Sequence, residues 1–293
     1  MLDHGLSSDI ADFIRGPQGH DIGDLIDRLS PVGDCAIFGG LPRDFAREGR
    51  NSFRSDVDVV VAAAPGALDA LLAQLGGERN RFGGYRLKYG RFDFDVWALQ
   101  TTWAASNDYV AVHSLNDLVK TTFFDCDAVL FHCRTLEITR SERFWASIEH
   151  GIVDINLEAN PHYIGTLART LRILFDWQQR LTPRLANYLA EGIARSRNEI
   201  LDYATRSGAG LGLASGTDLD AAISALCEHR VGKILLERKS VSAPLLPIPG
   251  EPPRGSALQT SAEVAGRSDG PIAARQYWAD CERSAFEIPD TNS

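Results

Sequence analysis

The sequence predicts an α/β fold, a small mixed and twisted sheet flanked by helices and followed by a helical domain. Three observations carry that expectation. Short apolar runs of strand length alternate with segments of helical periodicity as far as about residue 155. Beyond it, apolar residues recur at helical spacing alone. From residue 240 onward Pro, Gly, Ser and Ala dominate and no period survives, as in an extended linker. The expected organisation is therefore a head at 1–155, a helical domain at 156–239, a linker at 240–275 and a tail at 276–293.

Taken in order, residues 9–14 and 21–29 have the apolar spacing of short amphipathic helices. Cys35 to Phe38 form a short apolar run that ends in Gly39-Gly40, and Pro42 suits the first turn of a helix continuing through Arg47. Residues 55–61 read as a strand, and 65–75 as a helix with Pro65 near its start and Gly76-Gly77 at its stop. Two strands, 85–89 and 91–99, meet at Gly90 as a hairpin. Residues 115–122 are expected to be helical, and 128–133 with 135–138 a further strand pair. Ser141 is the expected cap of a helix reaching His150. Asn160-Pro161 opens a periodic helix through Leu167, Leu171 and Leu174; a second follows Thr182-Pro183 and a third fits 218–238.

Composition excludes several classes. With 293 residues, 44% hydrophobic and 24% charged, the chain has the make-up of a globular protein. No apolar run approaches the roughly 18 residues of a membrane span. Residues 1–15 contain Asp3, Asp9 and Asp12 and no apolar segment, so no secretion signal is expected. The five cysteines show no zinc spacing and read as reduced thiols of a cytoplasmic protein. A net charge of −9 repels nucleic acid globally, so contact with one would need a local basic face. Residues 160–206 supply a candidate, with seven arginines against four carboxylates. Arg79, Arg81, Arg86, Lys88 and Arg91 form a second cluster around the hairpin.

Chemistry concentrates between residues 38 and 97. In a strand, Asp56 and Asp58 of Ser55-Asp-Val-Asp-Val share one face, and two adjacent carboxylates repel unless a cation lies between them. Magnesium takes hard oxygens, commonly one or two carboxylates plus substrate phosphates. A second ion needs a third carboxylate, and Phe92-Asp-Phe-Asp-Val-Trp97 offers Asp93 and Asp95. Asp95 is preferred, because Val96 and Trp97 repeat the apolar context that follows Asp58. Upstream, the Gly39-Gly40 turn ahead of a helix leaves backbone N–H groups able to approach a triphosphate, and the Ser55 hydroxyl adds a donor. Asp125 and Asp127 alternate in the same way but lack a glycine turn and read as structural.

Gly39-Gly40-Leu-Pro-Arg43-Asp44 followed by Asp56-Val-Asp58 resembles the DNA polymerase β-type nucleotidyltransferases, in particular the head domain of bacterial poly(A) polymerases and CCA-adding enzymes. A looser similarity to that family's neck helix runs from Asn160-Pro161 through Arg169 and Arg172. The resemblance implies a metal-dependent nucleotidyltransferase. In it Asp56, Asp58 and Asp95 act catalytically and ligate two magnesium ions. Gly39, Gly40, Ser55, Arg169 and Arg172 are implied to contact the nucleotide, while Arg43 and Asp44 brace the loop. An NTP is the implied substrate and an RNA 3′ end, such as that of tRNA, the implied acceptor. Two departures are visible. The arginine pair expected before the later strands is missing from the corresponding stretch, Lys120 to Asp127, and the acidic pair before the neck proline is replaced by Ala159-Asn160. A protein or small-molecule acceptor, and a catalytically silent nucleotide-binding module, are the rival expectations.

Overall fold

The computed structural model describes residues 2–50, 53, 55–80 and 82–206. The helix expected at 218–238, the linker and the tail lie outside the described residues, as do Cys227 and Cys281. In chain order the elements are α1 (Leu2–Arg15), α2 (His20–Leu29), β1 (Asp34–Phe38), α3 (Gly40–Glu48), β2 (Val57–Ala62), α4 (Pro65–Gln74), β3 (Glu78–Arg79), β4 (Tyr85–Tyr89), β5 (Phe92–Ala98), α5 (Trp103–Ser106), β6 (Val129–His132), β7 (Ile138–Arg140), α6 (Phe144–His150), β8 (Ile152–Val153), α7 (Tyr163–Phe175), β9 (Arg180–Leu181) and α8 (Pro183–Arg206).

Seven strands form one mixed sheet in the order β3-β4-β5-β2-β1-β6-β7. Only β2 and β5 run parallel within it; its other neighbours are antiparallel. One face is apolar because alternate residues of the central strands (Ile37, Val57, Val59, Val61, Phe94, Val96) pack against α1 to α4 through Leu6, Ile10, Ile22, Leu41, Phe45 and Leu68. Each large side chain buried there contributes about 1.5–3 kcal/mol. The other face carries a smaller core of Ala36, Val60, Leu130, Leu115 and Leu118, and beside it the candidate site. A second large core, around Leu167, Leu171, Leu181, Leu185 and Leu189, unites α7 and α8 with Phe124, Val153 and Ile155. The small parallel pair β8–β9 fastens the two helices to the end of α6.

Several expectations shift. The first helix begins at Leu2, not at residue 9, because Leu6 is buried along with Ile10, Phe13 and Ile14. Residues 115–120 form a 3-10 turn, started by the reciprocal Ser114–Asp117 capping box. The second strand of the later pair lies at Ile138–Arg140, not at 135–138, because Leu136 takes φ +59° in the turn and donates its N–H to His132. Ser141 does not cap α6. Its N–H bonds to the Ala128 carbonyl and continues the strand, so the helix starts at Phe144 behind Arg143. The seven arginines of 160–206 do not make a single helical face. Arg180 is on β9 and donates to the His150 carbonyl, while Arg184 and Arg195 pair with Glu158 and Glu191.

Behind the sheet, Asp125 is buried, accepts from the Asp154 N–H at 3.0 Å and lies 3.8 Å from Arg143. Burial pushes its carboxyl up to about 7, against the pull of that N–H and of Arg143. A raised folded-state value means stability is greatest below the ordinary 3.8 and is lost as pH rises through about 7. Asp125→Asn should therefore be more stable than the parent at pH 8, by about 2 kcal/mol. At pH 3.5 the two should coincide. Urea midpoints at both pH values check this, and a pH-independent difference would refute it.

Candidate active site

The site is built from a turn, a row of in-register residues and a wall of arginines around a cavity of about 770 Å³. The turn comes first. β1 ends at Phe38, and Gly39 takes φ 64° and ψ −100°, a conformation open to glycine and strongly disfavoured for other residues. Its N–H bonds to the Val129 carbonyl at 2.9 Å, and α3 then starts at Gly40 with no side-chain cap, leaving its first N–H groups for a ligand. A Cβ on Gly40 would lie 3.0 Å from the Ser55 hydroxyl and 3.8 Å from an Asp58 carboxylate oxygen. Close packing of turn against strand thus needs glycine here.

The row crosses the sheet. Asp58 on β2 is the register partner of Asp95 on parallel β5, and Asp95 is the partner of Arg86 on antiparallel β4. Directly paired residues share a face, so the three side chains emerge together. The Arg86 guanidinium reaches Asp95 at 3.3 Å and Asp56 at 3.4 Å. Asp56 precedes the strand rather than lying on it, since β2 begins at Val57, yet it lines the same cavity. Asp93, two residues before Asp95, pairs with Lys88 at 3.2 Å and stays out of the cavity.

Asp58 is the anomalous group. It is the polar residue in an otherwise apolar central strand, between two neighbouring strands of the sheet. Burial, then Asp95, push its carboxyl up to about 7 in spite of Arg169. Burial also raises Asp56, with Arg86 opposing. A perturbed carboxyl lining a cavity is a candidate for a functional position. Three hard carboxylates on one side of a cavity suit a hard cation, and the charge repulsion between Asp58 and Asp95 is what one would relieve. Among the described residues, no three His, Cys, Asp or Glu side chains converge closely enough to enclose an ion unaided. The fit is that of an open site, with Asp58 and Asp95 adjacent in register, Arg86 bridging Asp95 and Asp56, and room for other ligands.

Opposite stand Arg43, Arg47, Arg169 and Arg172. Arg43 is buried and is held by Asp44 at 2.8 Å and Asp127 at 2.6 Å; Arg169, from α7, meets the same Asp127 oxygen at 2.7 Å. Burial would raise the Asp127 carboxyl, but Arg169 and Arg43 hold it below the ordinary carboxylate value. That triad ties the turn helix α3, the segment before β6 and the neck-like helix α7 into one wall. Trp177 lies under Arg43 and Arg47, with guanidinium carbons 5.0 and 4.0 Å from its ring centre.

All nine residues singled out from the sequence (Gly39, Gly40, Arg43, Ser55, Asp56, Asp58, Asp95, Arg169 and Arg172) line this one cavity. Of the hairpin cluster, only Arg86 reaches them among the described residues; Arg79, Lys88 and Arg91 pair with Asp69, Asp93 and Asp21. Sequence reasoning missed the aromatic lining, Phe82, Trp97, Trp103 and Trp177, which follows no local period. Thr121 and Thr122 also line the cavity, their hydroxyls turned back to the Leu118 and Phe124 carbonyls.

No family model matches the chain. No curated protein matches it either. Solved structures do. A Bacillus stearothermophilus CCA-adding enzyme in complex with CTP superposes with a TM-score of 0.50 at 17% identity, covering 73% of this chain and 52% of that one. A Thermotoga maritima CCA-adding enzyme complexed with tRNA gives a TM-score of 0.45 at 14% identity, covering 76% of this chain and 48% of that one. The chain thus spans about half the length of these proteins. At such identities the likeness to the first of them establishes the fold, a mixed sheet with flanking helices.

Proposed function

We propose that the chain is a metal-dependent nucleotidyltransferase that moves a nucleotide from an NTP onto an acceptor hydroxyl, with an RNA 3′ end as the favoured acceptor. The carrying observation is the convergence of Asp58 and Asp95 in direct register, with Asp56 beside them, in a cavity floored by the Gly39-Gly40 turn and walled by arginines. The fold is shared with a CTP-bound CCA-adding enzyme. Other solved neighbours, which add no argument beyond that fold, were captured with ATP or tRNA.

In this reading the triphosphate lies against the uncapped start of α3 and the Ser55 hydroxyl, where oriented N–H groups and the helix dipole favour anions. Arg169 and Arg172 neutralise the far end of the nucleotide, and the buried Arg43–Asp127 pair holds their wall in place. Magnesium ions held by Asp56, Asp58 and Asp95 would supply charge neutralisation and lower the pKa of the acceptor hydroxyl. In this reading Asp95, the less exposed neighbour of Asp58, orients that hydroxyl and accepts its proton.

The test is incubation with each labelled NTP, magnesium and total RNA; failure to label any acceptor would remove the proposal. Gly40→Val should weaken NTP binding by roughly tenfold or more, since the added side chain would press on Ser55 and Asp58 and obstruct close approach. Calorimetry on the folded variant checks it, and unchanged affinity would assign the turn another role.

A second acceptor class, a protein or small molecule, is favoured by one observation: beyond the cavity, Arg184 and Arg195 are already matched by carboxylates. The salt dependence of labelling separates the readings. With an RNA acceptor, labelling should fall about tenfold or more between low and moderate salt as counterions are released. With a protein or small-molecule acceptor, salt dependence should be shallow.

A further inference from the structure

Arg86 occupies a position that neither the fold nor the proposed chemistry requires. It stands in the row that holds the acids, and the row extends beyond it: Glu78 on β3 is its register partner on one side and Asp95 on the other. Its guanidinium nitrogen is shared between Asp95 and Asp56, at 3.3 and 3.4 Å. Both distances exceed the 2.7–2.9 Å of a tight charged hydrogen bond. The side chain is 64% exposed, so the contact is loose and water-accessible. An exposed ion pair of this kind is weak and opens readily. The guanidinium nevertheless brings a full positive charge, fixed by a covalent tether, to the spot between two carboxylates where a dissolved cation would bind. Glu78 offers it a second resting place without any change in the backbone pairing.

We propose that Arg86 is a tethered counter-ion for the acidic row. In the ion-free protein it bridges Asp56 and Asp95 and keeps these two carboxylates from being left unneutralised. When a divalent cation takes those oxygens, Arg86 swings outward toward Glu78. Arg86 is then a positioning residue that sets the cation concentration at which the site fills. This inference rests on the reading of Asp56, Asp58 and Asp95 as a cation site. It makes cation affinity a competition between an ion from solution and a side chain of the same strand row. Guanidinium cannot shed its charge at physiological pH, so the competition does not fade as pH rises.

The experiment is titration of the whole chain with Mn²⁺ alone, counting free ion by electron paramagnetic resonance, for the parent protein, Arg86→Gln, Arg86→Lys, Glu78→Gln and the Arg86→Gln/Glu78→Gln pair. Arg86→Gln should bind Mn²⁺ about fivefold to tenfold more tightly, the range expected from releasing two exposed pairs. Arg86→Lys should restore most of the parent affinity. Glu78→Gln should weaken binding about twofold in the parent, as Arg86 loses its outer partner, and change nothing once Arg86 is Gln. A merely structural Arg86 would give the opposite pattern, with unfolding on substitution and no gain in affinity; thermal melts of the same samples read this out. Equal Mn²⁺ affinity in the parent and in folded Arg86→Gln would overturn the counter-ion and leave the cation site standing. Failure of folded Arg86→Gln to bind Mn²⁺, with or without NTP, would overturn the cation site and the counter-ion together.

Discussion

Asp58→Asn should abolish nucleotide transfer, by about 10³-fold or more, while making the protein more stable at pH 8. The two effects have one cause. Asp58 sits in the central strand with burial and Asp95 pushing its carboxyl up to about 7. A group whose folded-state pKa is raised adds stability below its ordinary value and loses it as pH climbs through the folded one, here from 3.8 to about 7. At pH 8 the ionised carboxylate is therefore a liability to the fold. Its partial exposure to the cavity discounts the gain on neutralisation to about 1–2 kcal/mol. The same carboxylate is the innermost proposed cation ligand, worth several kcal/mol of transition-state stabilisation, and each 1.36 kcal/mol is a factor of ten in rate. Transfer rates and denaturant midpoints at pH 8, measured on one preparation, test both halves. Parent-like turnover would remove Asp58 from the chemistry, and a lower midpoint would contradict the electrostatic account. Stability given up at a site for function is common in enzymes.

Asp127→Ala should be the most damaging single change to the fold. Asp127 is 8% exposed and holds two arginines at once, Arg43 at 2.6 Å and Arg169 at 2.7 Å. Removing it takes one of Arg43's two carboxylates and the partner of Arg169; because Asp44 still holds Arg43 at 2.8 Å, the roughly 3–5 kcal/mol of a fully broken buried pair is discounted to about 2–3 kcal/mol. Against a typical total of about 5–15 kcal/mol, that moves the unfolding midpoint far to lower denaturant. Asp127→Asn, which keeps the shape and one acceptor oxygen, should lose less. Because the arginines hold the Asp127 carboxyl below its usual value, its contribution is present above the ordinary 3.8 and lost only as pH falls through the lowered folded value. The difference between parent and variant should thus persist from pH 5 to 8 and narrow in strong acid. Identical midpoints at pH 7 would show that the wall does not depend on this bridge.

The acidic and glycine residues of the site were legible in the sequence because their signals are local. Period-two spacing set Asp56 and Asp58 apart from their apolar neighbours, although Asp56 precedes β2 and reaches the cavity from just before the strand. Gly39-Gly40 announced a backbone conformation that other residues disfavour, and the measured φ of 64° at Gly39 is of that kind. The preference for Asp95 over Asp93 rested on flanking residues, and the two acids do separate, one lining the cavity and the other paired with Lys88. The alternation of strands and helices likewise anticipated the mixed sheet and the helices that follow it. Misplaced boundaries, at α1, β7 and α6, fall where a tertiary bond or burial outweighed local propensity, as when Ser141 continued a strand instead of capping a helix.

What the chain by itself determined, then, was which residue types meet in the candidate site and the secondary structure that presents them. What only the tertiary structure decided was their company. The parallel pairing of β2 with β5 set Asp58 opposite Asp95, and the antiparallel pairing of β4 set Arg86 beside Asp95. The packing of α7 against the segment around Phe124 brought Arg169 to Asp127, 42 positions away in sequence, and Trp177 beneath Arg43 and Arg47. Register and packing bring together residues far apart in the chain, and no local period encodes which of many carboxylates a given arginine will meet. Residue spacing records a side chain's face; burial and neighbouring charge, which set Asp58 apart from every other aspartate on its face of the sheet, exist only once the strands have paired.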